Sequence, residues 1–443
     1  MHPQAKTLGT QAEAVCPRAK TEPARADAER PRAKTERAHA EALRPKAIQA
    51  ALRTTTEALA RELAAPTNTA PDWSEFEWRI ACAAAAIHGV SPLLAGNLLW
   101  RGPGRWAEFL ENQRTQTAAR HSRIEELLRV IDHATRREGI CAVALKGAEL
   151  HARGLYSPGE RPMADVDLLV PSADFERAAR ILKGLGFDES FSTWKHRVFV
   201  RDGDRIPAGL GEHADNYMKI ELHERIGEGL PLNIEDVSDF VFPSRPRPGL
   251  NPYPSPASLM VHLLLHAAGA MMFRALRLLH LHDLALLSSH MTDEDWDEVL
   301  AYRESRGGLR WAFLPLNMTA HYYTSAVPAP VLAALREDCS RLPRLVGARR
   351  TLSDVSLSYL WIPAFPGIEW SQSPLEMGRY VMRRIRPNRE LLEVRRQLAR
   401  TQVAAWSSSW SGLSQGRRIL RWATSRQARP DTMHSVHLML TER

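Results

Sequence analysis

The chain has 443 residues, with 59 basic against 51 acidic side chains and a formal net charge of +8. That length suffices for two or three domains and a sizeable core. The four cysteines, Cys16, Cys82, Cys141 and Cys339, form no Cys-x-x-Cys pair, and no run of about eighteen apolar residues occurs, which excludes a disulfide scaffold and a transmembrane helix.

Cys82 and Cys141 lie in apolar runs and read as buried thiols, so a reducing, cytoplasmic setting is expected. The N-terminus lacks the apolar stretch of a secretory signal. Residues 1–70 are rich in Ala, Arg, Glu, Thr and Pro, and Pro17-Arg-Ala-Lys-Thr-Glu22 recurs as Pro31-Arg-Ala-Lys-Thr-Glu36. Such a segment buries too little apolar surface to offset its ordering entropy, so it reads as a disordered extension with transient helix near Ala47–Leu63. A start placed too far upstream is a second reading of this segment.

Residues 71–137 read as a helical region. Trp73, Phe76, Ile80, Ala84 and Ile87 recur at helical spacing, Ser91-Pro92 marks a helix start, and Ile124, Leu127, Leu128 and Ile131 predict a helix over 123–137. An α+β core is expected over 138–245. Ile140–Leu145 has strand length, followed by Lys146-Gly147 and a helix over Ala148–Tyr156. Glycine at such a junction lets backbone amides approach a phosphate, and Lys146 supplies charge; alone, the pair is more often a turn.

The run Arg161-Pro-Met-Ala-Asp165-Val-Asp167-Leu-Leu-Val170 carries the chemistry. In a strand Asp165 and Asp167 share one face, while Val166 and Leu168 point into the core. Two carboxylates side by side repel, and Mg²⁺ is a common remedy, since it takes oxygen ligands and bridges carboxylates to phosphates. A solvated strand end with two turn-forming aspartates is the plainer alternative. Downstream, a helix is expected near Asp174–Leu185 and strands at Val198–Val200 and Tyr217–His223. In the last of these Lys219, Glu221 and His223 share a face.

The series Leu145-Lys-Gly-Ala148, Leu155-Tyr156, Arg161-Pro162, Asp165-Val-Asp167-Leu-Leu-Val170 and Leu185-Gly-Phe187 resembles the nucleotidyltransferases of the DNA polymerase β superfamily. It is most similar to the bacterial branch of uncharacterised nucleotidyltransferases. Ile87-His-Gly-Val-Ser-Pro-Leu-Leu94, His262-Leu-Leu-Leu-His266 and His282-Asp283-Leu284 look like that branch too, so the resemblance spans roughly residues 73–390.

The resemblance implies a minimal polymerase β-like core, a mixed sheet with helices, flanked by N- and C-terminal helical domains. It also implies two-metal transfer of a nucleoside monophosphate, AMP from ATP, to a hydroxyl or phosphate acceptor on a small molecule, peptide or protein. Asp165, Asp167 and Glu221 would then be catalytic residues and ligands of two Mg²⁺ ions about 3.5–4 Å apart, and Lys146, Gly147 and Arg161 would contact the nucleotide. The superfamily's Gly-Ser loop is replaced by Lys146-Gly147-Ala148, and Glu224 stands where the branch tends to carry an aromatic residue, which puts the acceptor pocket in question.

Six prolines between Phe242 and Pro256 mark 246–256 as a connector that no helix or central strand survives. A helical domain is expected over 257–400. Its His262 and His266, four apart with His280 and His282 following, suggest zinc, but the His-Glu-x-x-His glutamate is absent, and packing on the core with one histidine or Asp283 facing the cleft fits better. Residues 401–443 read as a basic tail. From Arg379 on there are fourteen arginines, no lysine and four acids. This surplus motivates the alternative function, a catalytically weak nucleotide sensor or nucleic-acid-binding scaffold.

Overall fold

The computed structural model describes residues 44–201, 209–387, 392 and 413–441. The predictions for the first 43 residues, with their repeat, and for most of 388–412 lie outside the described residues. Among the described residues a six-stranded mixed sheet runs in the order β3-β4-β5-β2-β1-β8. Its strands are β1 (Cys141–Ala144), β2 (Val166–Leu169), β3 (Phe187–Ser192), β4 (His196–Arg201), β5 (Lys219–His223) and β8 (Gly249–Asn251); β6 (Gly227–Gly229) and β7 (Ile234–Asp236) pair separately. The fold is α+β, as expected from the sequence.

One pairing fixes the site. β2 and β5 run parallel with Asp167 directly across from Glu221, while β1 and β4 flank them antiparallel. Side-chain alternation then sorts the residues into two faces. Ala142, Val166, Leu168, Phe199, Ile220 and Leu222 pack with Ile124, Leu127 and Ile131 of the helix Gly104–Arg137 and with the helix Phe175–Gly184. Val143, Leu145 and Leu169 join a second core shared with the helix Pro256–Met272. Asp165, Asp167 and Glu221 lie on that second face, at the end where helix and sheet separate to leave a cavity.

Several local readings differ from the sequence expectation. The helix expected over 123–137 is the last part of a 34-residue helix beginning at Gly104. Its earlier half is polar, with only Trp106 and Leu110 as large buried apolar side chains before Ile124, so periodicity does not reveal it. The segment read as transient helix is a helix, Pro45–Ala64, burying Ile48, Leu52, Leu59 and Leu63 along one face. Within the proline-rich connector, Gly249–Asn251 adds an edge strand parallel to β1, a position where neighbouring prolines do no harm. Within the basic tail, Gln415–Thr424 and Pro430–Thr441 are helices, and the second buries Val436, Met439 and Leu440. Cys82 is buried, whereas Cys141 opens β1 and is half-exposed. No single helix among the described residues is long and apolar enough to cross a membrane.

A buried polar line ties the segments around the core together. His88 Nδ1 accepts from the Leu278 amide at 2.9 Å, which makes Nε2 the protonated nitrogen, and Nε2 lies 2.9 Å from Ser358 Oγ. Ser358 Oγ is 2.7 Å from Thr56 Oγ1. Burial lowers the His88 pKa to about 3. Burial likewise lowers those of His151 to about 4 and His280 to about 3. A histidine kept neutral in the fold is protonated in the unfolded chain below its ordinary pKa, so stability is complete above about pH 6.5 and falls as pH drops toward the folded value. The expected slope is about 1.4 kcal/mol per pH unit for each such histidine. Urea denaturation at pH 7 and pH 5 should show this loss, and the His88→Gln variant, weaker overall, should lose one such increment from the slope.

Candidate functional site

The strand β1 ends at Ala144, and the chain turns through Lys146, whose φ of +50° is a conformation that side-chain-bearing residues seldom adopt. Its amide donates to Tyr253 Oη at 3.3 Å, and that hydroxyl lies 2.6 Å from His262 Nδ1. The turn aims the Lys146 ammonium at Asp167, 3.1 Å away. The following helix, Gly147–Ala152, is only six residues long. Its field is therefore weak, and the ammonium is the stronger attraction for a phosphate. Gly147 must lack a side chain for a steric reason. A Cβ there would strike the Arg161 guanidinium and come within 3.0 Å of Met163 Cγ.

The three predicted carboxylates meet around two ammonium groups. Lys219 Nζ sits 2.9 Å from Asp165 Oδ2 and 2.7 Å from Glu221 Oε1. Lys146 takes Asp167, which also accepts from His223 Nε2 at 3.0 Å. Burial works against ionising Asp167, but the Lys146 charge and the His223 hydrogen bond outweigh it and hold the carboxyl well below the usual range. Glu221 shifts the other way. Burial, then the charges of Asp165 and Asp167, raise its pKa beyond what Lys219 and Lys146 restore. Burial also opposes the charge on Lys146 and Lys219, yet the surrounding carboxylates raise both pKa values.

Arg161 and the C-terminal helices close the cavity. Arg161 donates from Nε and Nη2 to the two oxygens of Asp283, both at 2.8 Å, and Tyr156 Oη donates to Asp283 Oδ1 at 2.7 Å. Arg161 thus lines the cavity with its planar fork already occupied, a bidentate pair buried on both sides. Asp283, His266 and His280 also line it, and the His266 and His280 rings stand 5.0 Å apart. His262 is turned instead to Tyr253. The cavity measures about 440 Å³.

Nitrogen ligands converge elsewhere than on the 262/266 pair. His196 Nδ1 lies 3.6 Å from Glu221 Oε2 and His223 Nε2 lies 3.8 Å from it. These three residues form a group whose ligand atoms are within 4.8 Å of one another. The sequence shows His223 on the Glu221 face, but nothing local announces His196, which arrives from the antiparallel neighbour β4 across from His223. Lys219 as the counter-charge between Asp165 and Glu221, and Arg277 on the cavity wall, also escaped the sequence reading. The signal for Lys219 was its place on the same face, two residues before Glu221.

The donor set fits divalent cations. Three carboxylates share one cavity, and the space between them is held by ammonium groups at hydrogen-bond distance, where a hard cation with oxygen ligands satisfies the same charge. Asp165 just before β2 and Asp167 on it thus share with Glu221, on the parallel neighbour, one cavity that Lys146, Arg161, Lys195 and Arg277 also line. The family model of the uncharacterised nucleotidyltransferases matches residues 74–324, and the chain belongs to that family. Neither the curated proteins nor the solved structures gave a match.

If Lys219 stands in for a cation, Lys219→Met leaves Asp165 and Glu221 repelling each other. The variant should melt lower than wild type in chelator, and millimolar Mg²⁺ or Mn²⁺ should raise its Tm more than that of wild type. Equal cation shifts in both proteins, read by differential scanning fluorimetry, would contradict this.

Proposed function

We propose that the protein transfers a nucleoside monophosphate, AMP from ATP, to a hydroxyl or phosphate acceptor on a small molecule, peptide or protein, with two Mg²⁺ ions as cofactor. The observation that carries this reading is the direct register of Asp167 against Glu221, with Asp165 joined to Glu221 through Lys219. Membership of a nucleotidyltransferase family supports the same class of reaction.

In this reading Asp165, Asp167 and Glu221 hold the ions, and bound Mg²⁺ supplies charge neutralisation for the triphosphate and the transition state. The chain's own residues do the rest. Lys146 and the backbone at Gly147 hold the outer phosphates. His223 orients Asp167 by its hydrogen bond. Arg161 and Asp283 brace the wall behind Gly147. The acceptor oxygen forms a bond to the α-phosphorus as that phosphorus loses its bond to pyrophosphate, and the acceptor proton passes to Glu221. Helices on the far side of the cavity limit water, the competing acceptor.

The test is incubation of the purified protein with each α-labelled nucleoside triphosphate and Mg²⁺, with host lysate fractionated into small molecules, peptides and RNA. Wild type should move label from ATP into one acceptor fraction. Asp167→Ala and Glu221→Gln should fall by roughly a thousandfold or more while remaining folded. Nucleotide bound tightly without Mg²⁺ and never transferred would sink this reading in favour of a sensor.

A further inference from the structure

A second cavity of about 680 Å³ adjoins the first. The two share a wall made by Pro162, Ala164, Arg277 and Leu279, whereas Asp165, Asp167 and Glu221 line only the smaller one and Lys219 only the larger. Arg277 is therefore exposed to both sides. Apart from Arg120, Glu212, Lys219, Arg277, Asp431 and His434, the larger chamber is walled by apolar, amide and hydroxyl groups, among them Ile87, Leu210, Asn216, Leu357 and Leu438.

Arg277 is the anomaly in this wall. Of the other cations along the two cavities, Lys146 pairs with Asp167, Arg161 with Asp283, Lys195 with Glu228, Arg120 with Glu212, and Lys219 with Asp165 and Glu221. Among the described residues the Arg277 guanidinium has no ion pair and donates no hydrogen bond. Burial lowers its pKa more than the charges of Asp165 and Glu212 restore it. A half-buried guanidinium with no paired carboxylate is set to gain from an anion that arrives. Both carboxylates that act on it electrostatically are already engaged by other cations.

We propose that the larger chamber is the acceptor site, and that it takes an acceptor with an apolar body and an anionic group, carboxylate or phosphate, gripped by Arg277. This assignment of the chamber to the acceptor rests on the nucleotidyl-transfer reading, which gives the smaller cavity to the triphosphate; the anion specificity does not depend on it. The shared wall brings the acceptor to the edge of the acid cluster from outside the triphosphate cavity, so both substrates bind together. Planar oxyanions suit a guanidinium fork, and the apolar walls favour a partner larger than inorganic phosphate.

The test uses the full-length protein and isothermal titration with phenyl phosphate, phenylacetate and uncharged benzyl alcohol. Each is titrated with and without saturating Mg²⁺ and α,β-methylene-ATP. The two anions should bind in both conditions and benzyl alcohol should not. Arg277→Gln should weaken the anions roughly ten- to hundredfold, with Arg277→Lys keeping part of the affinity. Leu438→Trp should block them by filling the chamber. The nucleotide analogue's affinity should change by less than about twofold in Leu438→Trp, and by less than that of the aryl anions in the two Arg277 variants. A larger loss for the nucleotide analogue than for the aryl anions in Arg277→Gln, displacement of the aryl anions by the analogue, or no aryl anion bound to wild type would each overturn the proposal. If the analogue fails to bind while the anions still bind through Arg277, the nucleotidyl-transfer reading falls and the anion site stands.

Discussion

The structure around the site depends on three carboxylates being held on one face of two parallel strands. Parallel pairing of β2 and β5 sets Asp167 against Glu221, and alternation along β2 adds Asp165 to the same side. Burying like charges together is unfavourable unless they are compensated, and the protein compensates them with ammonium groups reaching in from two directions. Lys146 arrives from the turn after β1, which explains why that turn accepts a left-handed backbone at a residue with a side chain. Lys219 arrives from β5 itself.

The two lysines differ in what they leave open. Lys146 serves Asp167, which is almost fully buried and is fixed further by His223. Lys219 joins Asp165, with about a third of its side chain exposed, to Glu221 across the mouth of the cavity. The Lys219 bridge therefore closes the more open side of the cluster, and Lys219 itself lines the second chamber. The carboxylate with the raised pKa, Glu221, sits on this bridge, while Asp167, whose pKa is lowered, lies deeper.

Much of this was legible in the sequence, and the reasons are local. Asp-x-Asp before an apolar run gives a strand with both acids on one face, and Lys219-Ile-Glu221-Leu-His223 gives a second such face by the same period of two. The helix Glu75–Ile87 was also visible through the spacing of Phe76, Ile80, Ala84 and Ile87, whereas its Ser74 cap was not read in advance. What was not legible is everything that depends on which strands are neighbours. His196 meets Glu221 only because β4 pairs antiparallel with β5, and the Arg161–Asp283 fork joins residues 122 positions apart. The basic surplus after Arg379 pointed to a tail, yet Val436, Met439 and Leu440 bury one side of a helix there, because charge counts report composition and not the face on which it falls.

Arg161 and Arg277 show why residue type alone does not assign a role. Both are arginines on the same cavity wall, and a sequence reading naturally favours Arg161, just before the acidic strand. The structure gives Arg161 a buried carboxylate with ideal bidentate geometry, so its charge is satisfied before any ligand arrives. It also fills the space that a side chain at position 147 would need, so its effect on the phosphate turn is exerted through shape. Arg277 has the opposite balance, with the cost of burial and no fixed partner among the described residues. An ionic group already neutralised within the fold adds little to a ligand's affinity, whereas one left uncompensated contributes most of its interaction when the ligand binds. On the proposed reading, recognition of an anion beyond the triphosphate thus rests on the arginine that has no ion pair among the described residues.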